Sequence, residues 1–111
     1  MYKISLNRIH DTVKVIEGSE SLKLYVDGDA MRMVAGLSQA QKLLKQINNE
    51  STDEETKGAA LYFAQVIFGK DQAEKLMQFY HDDAGCVINV CGRYFDKQLS
   101  AKITKAQKKS K

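Results

Sequence analysis

The sequence predicts an α+β fold, mainly helical, with an N-terminal β-hairpin followed by about four α-helices. Two observations predict it. Apolar residues alternate with polar ones over roughly the first quarter of the chain, then recur at steps of three and four. The chain also holds no proline, so the commonest helix breaker and the usual Pro-rich linker are both missing.

The hairpin comes from two alternating runs. Segment 12–16 places Val13 and Val15 on one face, and segment 22–26 places Leu22, Leu24 and Val26 on one face. The turn-rich EGSES around Gly18 joins them. Segment 2–6, YKISL, also alternates and would supply a third short strand. His10 then falls in a loop before the hairpin. An isolated hairpin is marginal in water, so its apolar face needs helices to pack on.

Asp29 offers an N-cap to a helix whose face reads Ala30, Met33, Val34, Leu37, Ala40, Leu44 and Ile47, ending at Asn48-Asn49. Gly36 weakens that helix or admits a close crossing. Ser51–Glu55 carries two overlapping capping boxes, Ser51 with Glu54 and Thr52 with Glu55. The second helix continues through Phe63 and Ile67 to Gly69 as C-cap. Asp71 with Glu74 then starts a short third helix carrying Ala73, Leu76, Met77 and Tyr80. After the break at 81–85, a final helix begins near Asp83. Its stripe is Val87, Cys91, Tyr94 or Phe95, Leu99 and Ile103. Residues 1–104 read as one compact domain and 105–111 as a basic, frayed tail.

Composition and motifs exclude several functions. No apolar run reaches the roughly 18 residues of a membrane span, and MYKISLNRIH lacks a signal-peptide core, so a cytoplasmic protein is expected. Neither P-loop, GxGxxG nor GxSxG is present. Cys86 and Cys91 lie five apart, a helical spacing that diverges by about 140° and suits no disulfide. His81-Asp82-Asp83 with Cys86 falls short of a metal-ligand spacing and reads as a turn with a capping Asp. No catalytic, cofactor or metal residue is assigned, and an enzyme is not expected.

Charge is uneven. From Arg93 onward the balance is +6, against −3 for residues 1–92. The Lys-rich end gives phosphate contacts in a nucleic-acid reading, but it lacks the arginine and aromatic interleaving that base readout and stacking use. A partner-docking tail is favoured, with a small nucleic-acid-associated protein as the alternative. Adjacent aromatics, Phe79-Tyr80 and Tyr94-Phe95, stand about 100° apart on a helix, so one of each pair falls off the buried stripe. The candidate partner-binding residues are therefore Phe79, Tyr80, Tyr94, Phe95, Leu99, Lys102, Lys105, Lys108 and Lys109.

The phrase LKLYVDGDAMRMVAGLSQAQKLL, then YFAQVIFGKDQAEKLMQFYHDD, then a last helix with a Lys-rich end, resembles the tail assembly chaperones of long-tailed phages and prophages of Gram-positive bacteria. The motif carrying the resemblance is FGxxxAEKLxxFY at 68–80, and by motif it covers roughly 60–111. The resemblance implies a chaperone that coats the tape measure protein in the host cytoplasm and keeps it soluble. It also implies recruitment of tail tube protein and formation of homo-oligomers.

Overall fold

The computed structural model describes residues 8–109, with side chains as far as Lys105. Two antiparallel strands open it, β1 (Arg8–Glu17) and β2 (Glu20–Asp29). They pair from Arg8↔Asp29 to Glu17↔Glu20, leaving Gly18-Ser19 as a two-residue turn. Gly18 takes a φ of 62°, a value open to glycine at little cost. β1 starts earlier than the alternation suggests, so His10 lies within the strand rather than in a loop. Segment 2–6 lies outside the described residues.

Helices α1 (Ala30–Gln46), α2 (Asp53–Phe68) and α3 (Lys70–Phe79) follow. Asp29 caps α1 by accepting from the Arg32 N–H at 3.1 Å. Of the two capping boxes, Thr52 with Glu55 forms, each bond 3.1 Å. Ser51 Oγ instead accepts from the Asn48 N–H at 2.9 Å, inside the preceding turn. Gly69, at φ 87°, both ends α2 and begins α3, which has no side-chain cap; the expected start at Asp71 moves to Lys70.

The last helical run has three parts: α4 (Ala84–Tyr94), a π-turn (Phe95–Leu99) and α5 (Ser100–Lys109). Its buried stripe is Val87, Cys91, Tyr94, Leu99 and Ile103. The step from Tyr94 to Leu99 is five residues, which a regular helix would swing about 140° off the stripe. The π-turn, closed by the Ser100 N–H on the Phe95 carbonyl, restores the alignment. Backbone at 105–109, expected as a tail, is helical; 110–111 lie outside the described residues.

The hairpin's inner face, Ile9, Val15, Leu24 and Val26, joins one core with all the helices. α2 is its spine, packing against α1, α3, α4 and β2. Small residues set the helices close. A Cβ on Gly36 would stand 2.8 Å from Val66 Cγ1, so α1 and α2 cross where glycine permits. No helix among the described residues is long and apolar enough to cross a membrane.

Candidate partner-binding groove

β2 lies over the helices, and β1 is the outer strand. Between β1 and α4 runs a groove of ≈ 410 Å³. Its walls are Val13–Glu17 on one side and Cys86, Asn89, Val90, Arg93 and Lys97 on the other, with Tyr80 and Tyr94 between. Val13 and Val90 are half-buried and supply apolar floor. Three cations, Lys14, Arg93 and Lys97, stand on the rim against one anion, Glu17.

Two buttresses hold β1 and β2 in place. Tyr94 donates its hydroxyl proton to Asp11 Oδ2 at 2.8 Å, joining α4 to β1 across 83 residues. Lys102 Nζ lies 4.0 Å from the same oxygen. Burial, then the bond and charge of Asp11, push the Tyr94 phenol well above its ordinary range. On the other strand, the Gln72 side chain behaves as a short piece of strand. Its Oε1 accepts from the Tyr25 N–H at 2.7 Å, and its Nε2 donates to the Tyr25 carbonyl at 2.6 Å and to that of Phe68 at 2.6 Å.

The candidate residues from the sequence divide. Phe79 and Tyr80 are half-buried and stack edge-on, centroids 5.1 Å apart, with Tyr80 reaching the groove. Tyr80's phenol is raised by burial and then by the charge of Glu17 across the groove. Leu99 is fully buried in the core, and Tyr94 is 8% exposed, its remaining surface lining the groove. The stripe includes Tyr94 rather than Phe95, and Phe95 is left half-buried beside it. Lys102 and Lys105 border a shallow basic surface with Lys97, whereas the side chains of Lys108 and Lys109 lie outside the described residues. The sequence reading missed Asp11, Gln72 and Arg93. Asp11 had a signal: it is a carboxylate at an inward position between Ile9 and Val13.

No protein family, curated protein or solved structure matches this chain.

Burial pushes the Cys91 thiol up to about 12, and burial followed by the Asp83 carboxylate raises Cys86. Both are therefore held as thiols, whereas a nucleophilic cysteine needs its pKa lowered. Asp83 caps α4, accepting from the Cys86 N–H at 3.2 Å, and His81 and Asp82 form the turn before it at φ 54° and 63°. His10 pairs with Asp27 at 3.3 Å beside Arg8 on the exposed face. Among the described residues, no three His, Cys, Asp or Glu converge as metal ligands.

Proposed function

We propose that this protein is a non-catalytic assembly factor that holds another protein, and specifically a tail assembly chaperone of a long-tailed phage or prophage. In this reading it acts in the bacterial cytoplasm, keeps the tape measure protein soluble, recruits tail tube subunits and self-associates. The observation that carries the binding role is the open groove between β1 and α4, apolar within and cationic at the rim. Exposed Ile16, Tyr25, Met31 and Val34 supply further apolar contact surface on a chain this small. The tail-specific part rests on the sequence resemblance alone.

Co-expression with the tape measure protein of the same genome tests the reading. A soluble complex that weakens as salt rises supports it. A tape measure protein that stays insoluble, with nothing co-purifying, ends it. The shallow basic surface of Lys97, Lys102 and Lys105 favours one second reading, nucleic-acid binding. Retardation of DNA or RNA by the full chain, lost when residues 102–111 are removed, distinguishes it.

A further inference from the structure

The Gln72 contact fixes which way the backbone points along the hairpin. Because the Tyr25 N–H and carbonyl both bond outward to Gln72, Thr12↔Tyr25 is a pair whose polar groups face away from each other. Alternation makes Lys14↔Lys23 and Ile16↔Ser21 pairs of the same kind. The N–H and carbonyl of Lys14 and Ile16 therefore leave the outer edge of β1, on the side of the groove. Farther along that edge, the Thr12 N–H is already taken by Asp11 Oδ1 at 2.9 Å. Lys14 and Ile16 have no such partner among the described residues.

We propose that this edge receives an extended, acidic segment of a partner protein as a third, antiparallel or parallel strand. The proposal rests on the protein-binding reading above and names the form and charge of what is bound. Added strands gain affinity from main-chain bonds and specificity from alternate side chains. Here the inward side chains of the guest would cover Val90 and Asn89 of α4, and a strand spacing of about 4.8 Å sets it over the groove. A lysine on a sheet edge usually guards against uncontrolled pairing. Lys14, with Arg93 and Lys97 opposite, turns that guard into a selector, because a carboxylate-bearing guest meets three cations and one anion. A second copy of this chain is disfavoured by the same charges, since pairing β1 with β1 would bring both sets of cations together.

The test uses the full chain and a capped peptide of about seven residues alternating glutamate with valine, the length of an ordinary strand. Hydrogen exchange and backbone amide shifts are read by NMR. The expected result is that the Lys14 and Ile16 amides become protected while the Tyr25 amide stays as it was. The double variant Arg93→Glu, Lys97→Glu, on an exposed helix face, should fold normally and bind the peptide about tenfold more weakly. Lys14→Pro, which removes the edge donor, should abolish protection at Ile16. Should that variant not fold, the charge-reversed pair still decides the matter.

Four results overturn the proposal. They are no shift at roughly millimolar peptide, equal binding by the charge-reversed variant, protection of Lys14 and Ile16 by self-association without peptide, and displacement of the peptide by a mixed-sequence RNA oligonucleotide. If the tape measure protein co-purifies undiminished with the charge-reversed variant, this edge proposal falls while the chaperone reading stands. If it fails to co-purify with the natural protein, the chaperone reading falls first.

Discussion

The two strands of the hairpin differ in what surrounds them. β2 is sealed: Leu24 and Val26 are 0% and 1% exposed, and Gln72 closes its outer edge at Tyr25. β1 buries Ile9 and Val15 on its inner face, but its outer edge stays open along the groove. Val13 is half-buried, Ile16 is 64% exposed, and the Tyr94–Asp11 bond is the side-chain hydrogen bond that ties the strand to α4. One strand anchors the sheet to the helices and the other presents an edge. A two-stranded sheet can divide labour this way because each strand has one inner face and one outer edge.

Substitutions can break that contrast, starting with the anchor. Leu24→Ala should cost about 2–5 kcal/mol in urea unfolding, because it opens a cavity under the strand. Alkaline pH attacks both halves. Cys91 and Tyr94 have raised pKa values, so the unfolded chain gives up their protons first and stability falls as pH rises. For Cys91 the loss begins near its ordinary 9.0 and continues to about 12; each such group removes up to about 1.4 kcal/mol per pH unit. Denaturant midpoints that stay flat from pH 8 to pH 11 would contradict the assignment.

Smaller effects separate the strands more finely. Gln72→Ala should cost about 1–2 kcal/mol and speed exchange of the Tyr25 amide while leaving Lys14 unchanged. Tyr94→Phe should cost about 1 kcal/mol and loosen β1 in preference to β2, again visible by amide exchange. Ile16→Ala should fall within roughly 0.5 kcal/mol of the natural protein, as suits an exposed side chain. A large loss there would mean that the outer face of β1 is already covered.

Much of this was legible in the residues, and the exceptions share a cause. The hairpin, α1 and the Thr52 capping box are written in local patterns only a few residues long. Gly36 was legible as a close crossing because glycine inside a helical stripe has few other uses. Asp11 hid the first residues of β1, since its partner is Tyr94, far along the chain. Tyr94 and Phe95 were equally good stripe members, because Phe95 lies four residues from both Cys91 and Leu99. The fold buries Tyr94 and absorbs the extra residue in a π-turn. The groove had no signature of its own, for its two walls lie some seventy residues apart.

That π-turn separates the inside of the last helix from its outside. Removing one residue among Asp96, Lys97 and Gln98, all exposed, would leave a four-residue step from Tyr94 to the next buried leucine and a regular helix. The packed side would keep its phase. Lys102 and Lys105 share one helix with Leu99 and Ile103, so they would keep their direction as well. The extra residue is thus confined to the turn, where it decides which of Asp96, Lys97 and Gln98 are presented, and neither the interior nor the lysines of α5 register its loss.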